Sequence, residues 1–218
     1  MKTQNRARRS VQTKTQQMVL TAAFAAIIIL MANVPFLGYI EIGIVRGTTI
    51  HIPVIIGAIL LGPKAGALLG GVFGFTSFWK ATFQPNLTSF CFSPFYSLGE
   101  FQGNFWSLVV CFVPRILIGI TAYYAYKGLM KILKGKHKVK ETIVLPIVGV
   151  VGSLTNTILV MGAIYLFFGE QYAKASEIAG SLIVAIGAIV VANGIPEAIA
   201  CAILVTIITK PLLRFLNK

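Results

Sequence analysis

Long apolar runs follow one another along nearly the whole chain, and they restrict its fold more than any other feature. The run at 142–168 has no charged side chain, and those at 105–126 and 178–209 have one each. About 20 apolar residues in a helix are enough to cross the hydrocarbon core of a bilayer. Backbone groups in that core cannot bond to water, so a span must satisfy them internally, as a helix does. The sequence therefore predicts an all-α integral membrane protein.

The runs predict one bundle of six membrane-spanning helices, with a basic segment at 1–17 before it and a tail at 211–218 after it. The helices are expected at about 18–34, 50–61, 65–80, 105–126, 142–168 and 178–209. The basic segment and the first helix together resemble a signal peptide. Retention is favoured, because several spans follow and no convincing cleavage site precedes Pro35.

Two of the expected helices have unusual lengths. The second has twelve residues and rises about 18 Å, whereas a bilayer core is about 30 Å thick. It must be extended by the preceding loop or lie inside the protein. The last helix exceeds 30 residues and has Asn193-Gly-Ile-Pro196 near its centre. A kink or break is expected there, because proline removes a backbone hydrogen bond.

Glycine recurs at every fourth position at the junction of the second and third helices. Gly62, Gly66, Gly70 and Gly74 would lie along one side of a helix. In lipid, such a row of small residues lets two helix backbones approach closely. Gly62 and Pro63 suit the end of one helix and the start of the next. We expect a tight helical hairpin that serves as the scaffold for the other helices.

The basic residues predict the orientation of the bundle. Six spans place fifteen of the nineteen Lys and Arg residues on the side of the two termini, and only Arg46, Lys80 and Lys174 on the other. Cytoplasmic connections are enriched in Lys and Arg, so both termini are predicted to be cytoplasmic. This distribution explains the net charge of +13 better than binding of nucleic acid does.

The three connections at 35–49, 81–104 and 169–177 are then predicted to lie outside the cell. The second is rich in Phe, Ser and Pro, too polar to span a membrane and too aromatic for an idle linker. A loop that moves over a site is a common gating device. We expect a lid over an outward-opening cavity. The aromatic side chains either stack on a ligand or form an interfacial belt.

Four polar residues within the apolar runs are the strongest candidates for a ligand site. They are Arg115, Asn156, Asn193 and Glu197. Polar groups inside a membrane are costly and usually line a cavity or pair with one another. Asn193 and Glu197 are four residues apart, hence on one helix face. The alternative is structural: an ion pair between Arg115 and Glu197, with the Asn amides bridging helices.

Further candidates lie near the outer connections and on the first helix. Arg46, Asn86, Ser89 and Trp79 are second-rank ligand residues, although Arg46 could equally be an exposed loop charge. Ala22 and Ala26 give the first helix a small-residue patch. That patch predicts either close contact with a partner helix or packing against the glycine row.

The sequence gives no support for catalysis. It contains no GxxxxGK[ST] phosphate loop, no HExxH motif and no Asp, so ATP hydrolysis by that loop is excluded and metal-assisted phosphate chemistry has few ligands. Cys91, Cys111 and Cys201 form no CxxC motif and are expected to be free thiols. We predict no enzyme, no metal site and no cofactor.

Several segments of the sequence resemble those of a known family. They are TAAFAA at 21–26, HIPVIIGAILLGPKAGALLGGVFG at 51–74, VPRILIG at 113–119, GSLTNTILVMG at 152–162 and NGIPEAI at 193–199. Together they look like the substrate-binding subunit, or S component, of energy-coupling-factor (ECF) vitamin transporters of prokaryotic cell membranes. SFCFSPF at 89–95, PRILIG and NGIPEAI look most like pantothenate-type members.

The resemblance implies a mechanism and a set of partners. S components bind a vitamin in a cavity formed by the outer loops and helices four to six. They associate with a transmembrane coupling subunit and two ATPase subunits, and Ala22 and Ala26 match the surface that contacts the coupling subunit. An anionic vitamin such as pantothenate would need Arg115 or Arg46. A neutral or zwitterionic vitamin would rely more on the Asn residues and Glu197.

Two other functions compete with a vitamin-binding subunit. An oligomeric secondary transporter or channel could be built from the same helices, and inverted internal repeats would favour it; none is convincing between 1–104 and 105–218. A membrane enzyme is disfavoured by the missing catalytic residue sets. Retention of a small molecule on purification would distinguish a vitamin-binding subunit from a secondary transporter or channel.

Overall fold

The structure, a computed structural model, describes residues 13–34, 37–42, 45–133, 137–176 and 181–216. Its helices are α1 (Lys14–Asn33), α2 (His51–Leu61), α3 (Pro63–Phe83), α4 (Phe105–Ile132), α5 (His137–Ala175) and α6 (Leu182–Leu216). The predicted all-α architecture is thus confirmed. In the described part of the chain, α1, α4, α5 and α6 are long and apolar enough to cross a membrane.

The ends of several helices differ from the prediction. α1 begins at Lys14 rather than at residue 18 because Thr13 caps it: Thr13 Oγ1 accepts the Gln16 N–H at 3.2 Å, and Gln16 Oε1 accepts the Thr13 N–H at 3.0 Å. Residues 1–12 of the predicted basic segment and 217–218 of the predicted tail lie outside the described residues. The described part of the tail continues α6.

The last three helices are longer than expected. α4 and α5 extend into the connection expected between residues 126 and 142, and α5 continues to Ala175. α6 is unbroken through Pro196 and Pro211. The expected kink or break at Asn193–Pro196 therefore does not interrupt the helix. Neighbouring helices can satisfy the carbonyl that a proline leaves without its donor.

The α2–α3 hairpin forms as predicted, with Gly62 at its turn in a left-handed conformation (φ +98°). Gly62 is not part of the packing surface, which consists of Gly66, Gly70 and Gly74. A Cβ on Gly70 would collide with the Arg115 carbonyl, and one on Gly74 would lie 2.9 Å from the Phe112 ring. The glycine surface of α3 therefore packs against the backbone of α4, and this contact fixes Arg115.

α2 lies inside the bundle. Nine of its eleven residues are buried, and it contacts α1, α3, α4, α5 and α6. This outcome agrees with one of the two explanations offered for its short length. Buried apolar residues from these helices form the main core around α2. A second core includes Phe90, Phe168 and Tyr172 and lies nearer the end of the bundle at which α5 finishes.

Two small hairpins and one 3-10 turn occupy connections that the sequence predicts as loops. β1 (Tyr39–Ile42) pairs antiparallel with β2 (Val45–Thr48) in the connection between α1 and α2. A 3-10 turn at Ser89–Cys91 and the pair β3 (Ser97–Leu98) and β4 (Phe101–Gln102) lie between α3 and α4. We call the side of the bundle that carries these elements the hairpin end.

Candidate functional site

A cavity opens at the hairpin end of the bundle, between the β1–β2 hairpin, the 3-10 turn and helices α3 to α6. Its volume is about 860 Å³ when the space open to solvent at its mouth is included. The lining residues are Tyr39, Thr48, Ser77, Ala81, Asn86, Thr88, Ser89, Phe92, Arg115, Asn156, Thr157, Val160, Met161, Ile164, Tyr172, Ile189, Asn193 and Glu197. Six of the eight predicted ligand residues are among them.

Arg115 is the cation of the cavity wall. Pro114 has no N–H, so the Val110 carbonyl loses its usual donor in the helix, and Arg115 Nη1 replaces that donor at 2.7 Å. The guanidinium carbon lies 5.4 Å from the centre of the Phe73 ring and 5.3 Å from that of Phe92. The side chain is only 5% exposed, and its Nε has no hydrogen-bond partner in the described structure.

Arg115 and Glu197 do not form the ion pair that the structural alternative required. Glu197 Oε1 instead accepts the backbone N–H of Thr48 at 2.9 Å. Among the described residues, no carboxylate lies within ion-pair distance of Arg115. The guanidinium therefore keeps its charge without a counter-charge from the described protein, and Glu197 connects α6 to the β1–β2 hairpin.

The two asparagines approach the cavity from neighbouring helices. Asn156 of α5 is buried, and its Oδ1 has no hydrogen-bond partner in the part of the chain that is described. Asn193 of α6 is half-buried and also lines the cavity. Gly194 allows α6 to approach α5, because a Cβ there would lie 3.3 Å from Thr157 Cγ2. Asn156 thus offers an unused acceptor at the cavity wall.

Asn86 and Ser89 form a turn at the mouth of the cavity. The Asn86 N–H donates to Ser89 Oγ, and Ser89 Oγ donates to Asn86 Oδ1, each at 2.8 Å. The Asn86 carbonyl oxygen is therefore already engaged in holding the 3-10 turn.

Trp79 and Arg46 are not among the lining residues. Trp79 is half-exposed, and its ring centre lies 4.2 Å from that of Phe83. This outward position matches the interfacial alternative given for the aromatic residues. Arg46 lies in β2 opposite Glu41, and its side chain lies outside what the structure describes.

Several lining residues were missed by the sequence analysis. The Tyr39 hydroxyl is within hydrogen-bond distance of Ser77 Oγ at 2.9 Å and Thr76 Oγ1 at 3.2 Å. Burial raises the pKa of Tyr39, so the hydroxyl keeps its proton. Tyr172 lies beyond the predicted end of the fifth helix. Hydroxyl residues are common in membrane helices, where they bond to their own backbone, so the sequence carries no signal for them.

Other predicted features lie away from the cavity. Ala22 and Ala26 are exposed on α1, whereas the glycine surface packs against α4. The alternative prediction, that these alanines pack against the glycine row, is therefore wrong. Cys91, Cys111 and Cys201 are free and buried. The described residues contain no group of His, Cys, Asp or Glu that could hold a metal ion.

Comparison with known proteins identifies the family of this chain. Residues 16–209 match the family described as "ECF transporter, substrate-specific component". The chain belongs to this family. It is therefore a multi-pass membrane transport component rather than an enzyme, and the resemblance found in the sequence is confirmed.

Two named relatives are similar to this chain. The chain is 40% identical over 175 residues to "Pantothenic acid transporter PanT" of Lactococcus lactis subsp. cremoris (strain MG1363), an alignment that covers 80% of this S component and 81% of that protein. It is 36% identical over 151 residues to "Pantothenate transporter PanT" of Leuconostoc mesenteroides subsp. mesenteroides, with 66% of each protein covered. Both relatives carry names that state transport of pantothenate.

Proposed function

We propose that this S component binds pantothenate in the cavity at the hairpin end and delivers it through an ECF importer. The names of the two relatives support the choice of vitamin. The observation that carries the proposal is the buried Arg115, which lines the cavity and has no acidic partner among the described residues. A buried charge is stable only when paired. The carboxylate of pantothenate supplies the missing charge.

The spacing of the polar groups supports an elongated ligand. Thr121 Oγ1 of α4 lies 3.5 Å from Thr155 Oγ1 of α5, and the two helices run antiparallel, so Arg115 lies opposite Met161. Asn156 is five residues from Met161 along α5, a rise of about 7.5 Å. Pantothenate has its carboxylate at one end and two hydroxyls at the other. Arg115 would hold the carboxylate, and Asn156 would accept a hydroxyl proton.

The remaining wall suits the middle of such a molecule. Val160, Met161 and Ile164 give the α5 side of the cavity an apolar stretch. The two methyl groups of pantothenate would pack against it, and burial of each contributes about 0.8 kcal/mol. Asn193 of α6 also lines the cavity and would bond to the central amide or to a hydroxyl.

The orientation and the partners belong to the same proposal. All six helices would sit in the membrane with both termini cytoplasmic, as the excess of Lys and Arg on that side predicts. The cavity would then open to the outside. A transmembrane coupling subunit would dock on the exposed Ala22 and Ala26 of α1, and two ATPase subunits would supply the energy.

Mass spectrometry of the small molecule that co-purifies with the detergent-solubilised chain tests this function, followed by titration calorimetry. Pantothenate is expected in stoichiometric amount and with nanomolar affinity. Another vitamin would keep the family and overturn the substrate. No ligand, and no binding from a panel of vitamins, would favour an oligomeric channel or secondary transporter.

A further inference from the structure

Three buried polar side chains on α2 and α5 carry atoms that lack a hydrogen-bond partner in the described protein. His51 is 1% exposed and Ser153 is fully buried, and the unpaired atoms are both imidazole nitrogens, Ser153 Oγ and Asn156 Oδ1. Such atoms are rare, because burial removes their water without a replacement. Four of them on three residues require an explanation.

Two of these side chains, His51 and Asn156, lie at one level of the bundle, and Ser153 is three residues before Asn156 on α5. Ile55 of α2 packs against Gly152 of α5, where a Cβ would lie 2.8 Å from Ile55 Cγ1. α2 and α5 run antiparallel, because α2 packs antiparallel to α3, α3 to α4 and α4 to α5. His51 is one turn before Ile55, and Asn156 is one turn after Gly152. His51 and Asn156 therefore occupy matching levels on the two helices where α2 packs against α5.

The same level is the deepest wall of the cavity. Asn156 lines the cavity directly. The His51 imidazole lies beside the Thr48 backbone. Thr48 also lines the cavity, and its N–H is bound by Glu197. His51 thus lies directly behind residues that a ligand would contact.

We propose that His51, Ser153 and Asn156 form a hydrated floor to the ligand site, and that His51 and Ser153 are positioning residues for Asn156. A buried water needs two to four polar partners. A neutral imidazole supplies a donor and an acceptor, a hydroxyl supplies both, and the Asn156 carbonyl is an acceptor. Water that bonds to this carbonyl fixes the amide and presents its NH₂ group to the ligand.

The proposal rests on the proposed function, because pantothenate is the probe in its test. The first experiment compares Ser153→Ala with Thr209→Val by titration calorimetry with pantothenate. Both changes delete a fully buried hydroxyl that lacks a partner, but Thr209 lies three turns beyond Glu197 on α6. Ser153→Ala is expected to weaken binding about threefold to tenfold. Thr209→Val is expected to leave it unchanged.

Melting temperature separates positioning from a structural role. In the hydrated floor, Ser153→Ala removes one partner of the water and leaves the others in place, so its ligand-free melting temperature should fall no further than that of Thr209→Val. A clearly larger fall than in Thr209→Val, together with weaker binding, would overturn the positioning role. Equal affinities for Ser153→Ala and wild type would overturn the hydrated floor.

A double-mutant cycle tests whether His51 acts through Asn156. His51→Phe should weaken pantothenate binding in the wild-type background and have no further effect in Asn156→Ala. His51→Gln keeps a donor and an acceptor and should recover most of the affinity. If the Phe variant does not fold, the Gln variant still tests whether His51 acts through Asn156. Independent, multiplicative losses would contradict the inference. If wild type itself does not bind pantothenate, the proposed function is wrong and this inference falls with it.

Discussion

At the scale of single residues, the site is built on polar groups that the fold leaves unpaired. Arg115 bonds to a carbonyl that Pro114 exposes, and Asn156 keeps an acceptor unused. Both were predictable from the sequence because a polar residue in an apolar run is costly and conspicuous. Ser77 and Thr48 were not, because their roles depend on a hairpin whose position only the tertiary structure defines.

Replacing Arg115 with Met is expected to weaken pantothenate binding by about 2–5 kcal/mol, because the ligand carboxylate would be buried without its partner. Titration calorimetry measures the loss. Lys174→Gln is the matched control: it removes an exposed cation near the hairpin end and should change the affinity less than twofold. Similar losses in both variants would show that only the overall charge matters.

Asn193→Ala is expected to weaken binding by about 1–3 kcal/mol, because a buried ligand group would lose its hydrogen bond. Asn33→Ala provides the comparison, since Asn33 is exposed at the end of α1 and bonds to its own helix. An unchanged dissociation constant for Asn193→Ala would assign Asn193 a structural role.

At the scale of elements, the existence of all six helices followed from the apolar runs, and the glycine spacing predicted the α2–α3 hairpin. The helix ends were less predictable. Lys is a good helix former, so α4 and α5 extend into the lysine-rich connection expected between residues 126 and 142. The strands β1 and β2 have four residues each, too few to produce a periodic signal.

Gly70→Val is expected to lower the melting temperature and weaken ligand binding together. Its side chain would collide with the Arg115 carbonyl and force α3 away from α4. The adjacent Gly71 has open space around its Cβ position, so Gly71→Ala should be neutral or stabilise the helix by up to about 1 kcal/mol. Thermal unfolding in detergent distinguishes the two; equal effects would show that the α3–α4 contact does not require glycine.

Glu197 is expected to hold the β1–β2 hairpin in place through the Thr48 N–H. Glu197→Ala should increase hydrogen exchange at the Thr48 amide, whereas Glu197→Gln should preserve its protection because an amide oxygen also accepts the bond. Exchange measured by mass spectrometry on peptides from β2 reports this directly. Fast exchange in both variants would mean that the carboxylate charge, rather than the hydrogen bond, fixes the hairpin.

At the scale of the whole molecule, the chain presents a binding cavity at one end and an exposed small-residue surface on α1. α1 is the least buried of the long helices, with only Ile28 and Ala32 fully covered. The family could be identified from the sequence because its motifs span most of the chain. The shape of the cavity could not, because its wall combines residues from seven separate elements.

Ala22→Trp and Ala26→Trp are each expected to prevent assembly with the coupling subunit while pantothenate binding stays intact, because a bulky group blocks close helix contact. Co-purification with tagged coupling and ATPase subunits measures assembly. Ile207→Trp, at an exposed position on α6, should assemble normally. Lost ligand binding with normal assembly would contradict the docking surface on α1.

The burial of α2 has a consequence for how the protein is made. An eleven-residue helix rises only about 16 Å, so α2 cannot cross a bilayer as an independent segment leaving the ribosome. It must enter together with α3, whose glycine surface is covered only when α4 arrives. The helix at the centre of the finished protein is therefore secured in the membrane only after helices that follow it in the chain have entered. Biogenesis of this protein is expected to proceed through a partly inserted state that includes α1 but not yet α2.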